Sequence, residues 1–546
     1  ASFSWPSVYS RFYTVKEKQA EKLAKVRTKT MQKFHPSFFL TNRGVLTGAF
    51  MAMLFCYAIA GAIGVPAHNY ARGYLGGTPY HSLWYMNAFL IPMSLIMIFV
   101  GNLTKKFGRK TMATYGPIVF IIGLIGAALA TNSLALIISR IVQGAGAAVC
   151  GGLAGGFLNG GIGKKQSDIG KGLFVVTFAF SATIGIAYGG AISWYFSWRI
   201  IYASLALIQF ISWFLIFRYL PKDQGDKNAS LDWITFILCS IGFGTFSISL
   251  IYGNQHEWFQ NKTYILLLAI SIVGLILFFI RFSSSPPLLN PKVFSDINFV
   301  ISSINISVIL FSVYLIFAIV PDFMVGVTQN TIATYSGPFF LFSAASTITI
   351  YIFAPGINTH YLARAVKSRR IMSSLGVVGF GLTSLWMAQT SSAQSNQTIT
   401  IQLILLGISF GFFFHEFLMA FATVPAELAT TASSITLFGS NLAKVFGGAL
   451  SGGIDTVSTQ GSWERFRSNI SQTSIELETF QAPFNNQIVN GVHAQDWSQA
   501  SLEIINHSIA QQAAVVSYIN QATLTGCLLI CFGILPFLHR ESQDKS

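Results

Sequence analysis

The sequence reads as an all-α polytopic membrane protein of fourteen crossings, and three observations carry that reading. Hydrophobic residues make up 52% of the 546 positions and charged residues only 10%, a balance foreign to soluble chains of this length. Apolar runs of roughly 18 or more residues, each long enough to cross a ~30 Å hydrocarbon core as helix, recur from Val45 to Leu538. These runs are continuously apolar and do not alternate apolar with polar positions, which favours helices over a barrel.

In chain order the expected spans lie near 45–65, 83–103, 112–131, 134–157, 172–193, 200–217, 231–253, 263–282, 298–320, 331–355, 370–388, 398–424, 429–454 and 518–538. Short polar loops join most of them. The exception is 456–517, a stretch rich in Gln, Asn and Ser, expected as a long extracytoplasmic loop with short helices. Residues 1–44 form a basic N-terminal tail and 539–546 a C-terminal tail, both expected in the cytoplasm.

A net charge of +15 raises the question of nucleic acid, but the placement of the charge answers it. With the N-terminus inside, 27 of the 34 Lys and Arg fall on cytoplasmic segments. Arg72, Arg199, Lys262, Arg465 and Arg467 fall outside, and Arg140 and Lys444 lie within spans. This is the positive-inside pattern, so orientation in the membrane accounts for the charge and no nucleic-acid partner is expected. The N-terminal tail contains VKEKQAEKLAKVRTKTMQKF and no apolar h-region, so a cleavable secretion signal is not expected. An orienting tail and a helix held on the anionic inner leaflet both fit its charge. Cys56, Cys150, Cys239, Cys527 and Cys531 all sit within spans and imply neither a disulfide framework nor a metal site.

GNLTKKFGRKT at Gly101 to Thr111 occupies the first basic loop, and a weaker counterpart, GINTHYLARAVKSRR, spans Gly356 to Arg370. Related loops at corresponding places suggest an internal duplication, which in transporters puts the substrate path between the halves near mid-membrane. The halves are then 45–220 and 298–538, with 231–282 as two extra linker helices.

At these motifs the chain resembles the fourteen-span drug:proton antiporter branch of the major facilitator superfamily, and EmrB-like proteins in particular. Gly101, Leu103, Gly108, Arg109 and Lys110 match the loop motif after span two. SRIVQGAGAA in span four matches the second motif through Arg140, Gln143, Gly144 and Gly146, whose buried arginine the resemblance associates with proton coupling. GIAYGG, carrying Gly185, Gly189 and Gly190, followed by Trp198 and Arg199, is similar to the glycine-rich antiporter motif of span five. The resemblance implies a major facilitator fold of two six-helix halves plus two central helices. It also implies an inner-membrane secondary transporter with no cofactor, a small-molecule substrate, and protons as the coupling ion. A periplasmic adaptor docking on 456–517 is a further partner compatible with it. Three positions depart from the family pattern. Ile186 replaces the span-five proline, Tyr57 replaces the membrane-embedded aspartate of span one, and Lys105 replaces an acidic residue of the loop.

Charged side chains inside a span are costly unless paired or wetted, and so mark function. Arg140 is expected to act in coupling or to brace backbone carbonyls. Lys444, in NLAKVFGGAL, is expected either to act in transport or to snorkel to an interface. Glu416, in FFFHEFLMA, is the only acidic residue well inside a span, whereas Asp322 and Asp455 fall at span ends. A carboxyl group in low dielectric can exchange protons near neutrality, so Glu416 is either a proton carrier or a fixed partner of Lys444. His415 next to it points about 100° away on a helix.

P-loops, serine elbows, HExxH and CxxC patterns give no credible match, so an enzyme is not expected. The leading expectation is proton-coupled efflux of a multidrug type. The alternative is a carrier of an anionic metabolite or siderophore, suggested by Arg140 and Lys444 together with the missing aspartate.

Overall fold

The computed structural model describes residues 41–161, 167–226, 228–255, 258–284, 291–353, 369–468 and 494–539. The described chain is helical throughout. The first half comprises α1 (Asn42–Ala62), α2 (Gly64–Tyr74), α3 (Pro79–Met97), α4 (Val100–Phe107), α5 (Arg109–Ala128), α6 (Ser133–Gly156), α7 (Ser167–Tyr195) and α8 (Trp198–Tyr219). A linker pair follows, α9 (Trp233–Cys239) with α10 (Thr245–Gln255), and α11 (Lys262–Ser284). The second half holds α12 (Ile297–Gly326), α13 (Ile332–Phe353), α14 (Arg369–Met387), α15 (Asn396–Phe413), α16 (His415–Ala420), α17 (Ala429–Ser468) and α18 (Ala494–Phe532).

Polar side chains start several helices where the hydropathy pattern changes. Thr41 caps α1 through Gly44 N, Asn132 caps α6 through Ala135 N, and Asp296 caps α12 through Asn298 N and Phe299 N, each satisfying an amide the helix leaves unpaired. Helices cover all fourteen expected stretches. Among the described residues, eleven are long and apolar enough to cross a membrane, or twelve if the pair α3–α4, bent by 55°, is one span. The remaining two are less apolar. Arg369 and Arg370 open α14, and Ser433, Ser434, Ser440, Asn441 and Lys444 lie within α17.

Within the first half α5 packs on α6, α3 on α6, and α1 on α7 and α8; within the second, α12 packs on α17, α13 on α15, and α14 on α18. The halves meet where α7 lies against α13, and where α17 lies against α3 and α6. The linker pair sits beside that seam, as Phe99 and Phe438 from the two halves join Cys239 and Phe278 in one apolar cluster. On α11 Ile272, Val273, Ile276, Phe279 and Ile280 are exposed, a face suited to lipid.

The stretch expected as a loop is helical wherever it is described, because α17 runs on to Ser468 and α18 starts at Ala494. These polar arms hold each other: Ser517 donates to Asp455 at 2.7 Å and Trp463 Nε1 to Asn506 Oδ1 at 3.0 Å. Residues 1–40, 469–493 and 540–546, and all of the second basic loop before Arg369, lie outside the described residues. Cys56, Cys150 and Cys239 are buried and unpaired, while Cys527 and Cys531 are exposed and unpaired.

Candidate functional site

Between the two halves lies a cavity of about 40 Å³. The first half contributes Gly61 of α1, Met86 of α3 and Ile186 of α7; the second contributes Tyr314 of α12, Phe410 of α15 and Lys444 of α17. Among the described residues Lys444 is the only charged one on its wall.

Lys444 is 6% exposed, so the alternative in which it snorkels to an interface is not what the structure contains. Its Nζ donates to Asn441 Oδ1 at 3.2 Å and lies 5.6 Å from the Phe178 ring centroid and 5.7 Å from that of Tyr314. Asn441 Nδ2 in turn donates to the Tyr57 hydroxyl at 2.9 Å. Tyr314 donates to Gly61 O at 2.8 Å. Two of the three departures noted above, Tyr57 and Ile186, thus meet Lys444 at one place. Asn441 links them. It sits three residues before Lys444, the spacing that puts two polar groups on one helix face, and that spacing was the available signal for it.

Arg140 is buried, and each of its three nitrogens makes a hydrogen bond. Nε donates to Tyr85 O at 2.9 Å, Nη1 to Gln143 Oε1 at 2.7 Å and Nη2 to Ala60 O at 3.3 Å, while the guanidinium lies 4.3 Å from the Phe89 ring centroid. One side chain thereby fastens α6 to α1 and α3. The motif glycines let these helices touch. A Cβ on Gly144 would lie 2.3 Å from Phe89 O, and one on Gly146 2.2 Å from Phe120 N. In α7, a Cβ on Gly185 would meet Ala62 at 2.6 Å and one on Gly189 Ile63 O at 2.5 Å, while Gly190 is buried beside them.

Glu416 lies elsewhere, wholly buried within the second half. Its Oε2 accepts from Ser373 of α14, and its Oε1 lies 3.4 Å from His539 Nε2. His539 is also within 2.8 Å of Ser302 Oγ on α12. The structure therefore gives Glu416 and Lys444 separate partners and does not bring them together. His415 turns away from Glu416, with Nδ1 2.9 Å from Phe412 O and Nε2 3.2 Å from Phe353 O. His539, at the end of the chain's last span, carried no signal in its own neighbourhood.

The loop motif closes onto the end of α8. Arg109 N and Lys110 N donate to the Asp223 carboxylate at 2.8 and 2.9 Å. Lys110 Nζ reaches Ile216 O in the last turn of α8 at 3.3 Å and Leu220 O, just past its end, at 2.8 Å. Gly108 has φ +84° with Asp223 O only 3.0 Å from where a Cβ would be, a conformation and a space that admit glycine alone. Leu103 packs beside the linker-pair cluster, and a Cβ on Gly101 would lie 3.4 Å from Thr431 Oγ1 of α17. Lys105 points its side chain outward, and its carbonyl accepts from Asp226 N at 2.9 Å.

At this same end the halves are in contact: a Cβ on Gly156 would lie 3.2 Å from Thr430 Cβ, and Asn159 Nδ2 donates to Ser433 Oγ at 3.3 Å. Phe174 of α7 meets Phe417 and Phe421 beyond them.

The multidrug resistance protein Stp of Mycobacterium tuberculosis is 22% identical over 72% of this chain and 71% of its own length. The probable multidrug resistance protein EmrY of Escherichia coli is 23% identical over 82% of this chain and 85% of its own. The crystal structure of the human organic anion transporter MFSD10 aligns with a TM-score of 0.55 at 12% identity, over 90% of this chain and 99% of that one, a likeness of fold alone. The family model of the Major Facilitator Superfamily matches residues 45–448, and with the helical fold described above it places this chain in the major facilitator superfamily, among whose members the EmrB-like multidrug proteins are its relatives.

Proposed function

We propose that the protein is a secondary transporter of the inner membrane that exports a small amphipathic organic compound by alternating access, in exchange for protons. The observation that carries this is the central cavity, whose wall is shared by both halves and is apolar and aromatic apart from Lys444. Ligand pockets for drug-sized compounds measure about 300–1,000 Å³, so a cavity of about 40 Å³ has to widen before it takes such a compound. Separation of the halves is the motion that widens it. With both termini cytoplasmic, the contact of α6 with α17 closes the cytoplasmic side. Protons are taken up and released at Glu416, next to His539. The paired arms of α17 and α18 lie on the opposite side, where an adaptor can dock. The EmrY and Stp names, both of multidrug resistance proteins, support the substrate class.

Counterflow tests this in proteoliposomes preloaded with 2-naphthalenesulfonate or with (2-naphthylmethyl)trimethylammonium, two membrane-impermeant amphiphiles of opposite charge. Concentrative uptake of tracer for at least one of them is expected. Uptake of neither, by protein that is monodisperse and folded, overturns the transporter reading.

A further inference from the structure

We propose that the central cavity recognises an amphipathic organic anion, a carboxylate or sulfonate on an apolar body, through the ammonium group of Lys444. The inference rests on the transport reading above and adds the charge of the substrate to it.

A buried ammonium group is costly unless something compensates its charge. Around Lys444 the structure supplies one amide oxygen, from Asn441, and two ring faces, from Phe178 and Tyr314. Among the described residues no carboxylate lines the cavity. The three acids that could have served lie elsewhere: Glu416 is engaged with Ser373 and His539, Asp455 accepts from Ser517 and Thr459, and Asp322 is exposed and off the cavity wall. The other buried cation of the region, Arg140, adds to the positive field from behind α1, since its Nη2 is held on Ala60 O while Tyr314 is held on the adjacent Gly61 O.

Only one of the three ammonium protons of Lys444 has a protein acceptor among the described residues. The Tyr57 hydroxyl accepts from Asn441, and no acceptor for its own proton is found among the described residues. Asn441 is therefore a positioning residue that holds Lys444 and Tyr57 in one donor array. An incoming carboxylate or sulfonate supplies Lys444, the charged group on the cavity wall, with both its missing countercharge and its missing acceptors, in a setting where charge-assisted hydrogen bonds are strong. A cation entering the same cavity meets repulsion and finds no acidic partner. The apolar body of the ligand lies on Ile186, Tyr314 and Phe410.

The same position accounts for one of the three sequence departures, Tyr57. At the site where the family pattern places an acid, this chain has Tyr57, and one amide away it has a lysine. The polarity of the cavity is inverted.

The test compares counterflow of the same two naphthalene probes, now for their ratio. Wild type is expected to carry 2-naphthalenesulfonate in preference to (2-naphthylmethyl)trimethylammonium. Lys444→Met is expected to lower sulfonate counterflow about 10- to 100-fold, the worth of a charge-assisted hydrogen bond, and to leave or raise that of the cation. Lys444→Arg, which keeps the charge, is expected to retain the preference and guards against loss of folding as the explanation. Preference of wild type for the cation, or an unchanged sulfonate preference in Lys444→Met, overturns the inference while leaving the transport reading standing. Transport of neither probe removes the reading on which it rests.

Discussion

Glu416 Oε1 faces His539 Nε2 at 3.4 Å, and Ser302 Oγ lies 2.8 Å from the same nitrogen. His539 Nδ1 is 2.9 Å from Pro536 O, a partner that can only accept, so Nδ1 carries the proton in the neutral ring. Burial pushes the His539 imidazole below its ordinary range, against the opposing effects of the Pro536 carbonyl and of Asp296 and with that of Arg370. The bare Nε2 of the neutral ring faces both the Ser302 hydroxyl at 2.8 Å, which can donate to it, and the Glu416 carboxyl. A proton on Glu416 would add a second hydrogen bond to the same nitrogen. Ser373 donates to the other carboxyl oxygen, so the site accommodates Glu416 with or without its proton, as a proton carrier requires.

Glu416→Gln follows directly. The amide reproduces the protonated acid, accepting from Ser373 and donating toward His539, so folding stability should change by less than about 1 kcal/mol. Substrate exchange should persist, hardly dependent on pH, while accumulation driven by a pH gradient should be lost. Gradient-driven accumulation at the wild-type rate would end the proton-carrier role of Glu416.

Arg140 gives a second prediction, and here geometry adds to what the motif alone implies. Arg140→Ala leaves Tyr85 O, Ala60 O and Gln143 Oε1 without their donor at a joint of three helices. The expected cost is about 2–4 kcal/mol of stability, together with loss of transport, so the midpoint of thermal unfolding in detergent should fall. Arg140→Lys should recover little, because a single ammonium group cannot reach acceptors on α1 and α3 in the fork geometry of a guanidinium. An unchanged unfolding midpoint for Arg140→Ala would show that the bracing is not what this side chain contributes.

How much of this was legible in the sequence follows from what each feature depends on. Arg140, Glu416 and Lys444 could be singled out because a charge in a hydrocarbon run is conspicuous without any partner being known. Their partners could not. Asn441 and Tyr57 are 384 positions apart, Glu416 and His539 meet across two helices, and Asp223 reaches back to Arg109 from the end of α8. Such pairings are set by tertiary packing, on which local spacing is silent. The polar ends of α17 and α18 were read as loop for a related reason. Hydropathy reports what lipid would accept, whereas these arms stay helical through bonds to each other, such as Ser517 to Asp455. For the same reason α14 and α17, which bury polar side chains, look less apolar than α11, whose exposed face is apolar.

Asp223 carries a third prediction. Its carboxylate accepts the first two amides of α5, acting as a cap from another part of the chain and meeting the positive end of the helix dipole. Asp223→Ala should cost about 1 kcal/mol of stability and speed hydrogen exchange at the amides of Arg109 and Lys110. Asp223→Asn should restore part of the protection, since an amide oxygen still accepts. Unaltered exchange at both amides in Asp223→Ala would mean that the loop is held by Lys110 on the α8 carbonyls alone.

The contact of α6 with α17 allows the alternating-access cycle itself to be stopped. A Cβ at position 156 would lie 3.2 Å from Thr430 Cβ, close to the 3.5–4.5 Å range for bridged cysteines, and the two residues belong to opposite halves. In Gly156→Cys/Thr430→Cys, oxidation should therefore join the halves in the conformation seen here. The cavity could then no longer widen toward the motif end, and counterflow should fall to background. A reductant should restore it. Neither single variant should respond to oxidant, which separates the cross-link from general thiol damage. Mass analysis of the linking peptide establishes closure independently of transport. If the bridge forms in nearly all molecules and counterflow continues at the unbridged rate, then separation of α6 from α17 is no part of the cycle, and the path for substrate lies somewhere other than between the halves.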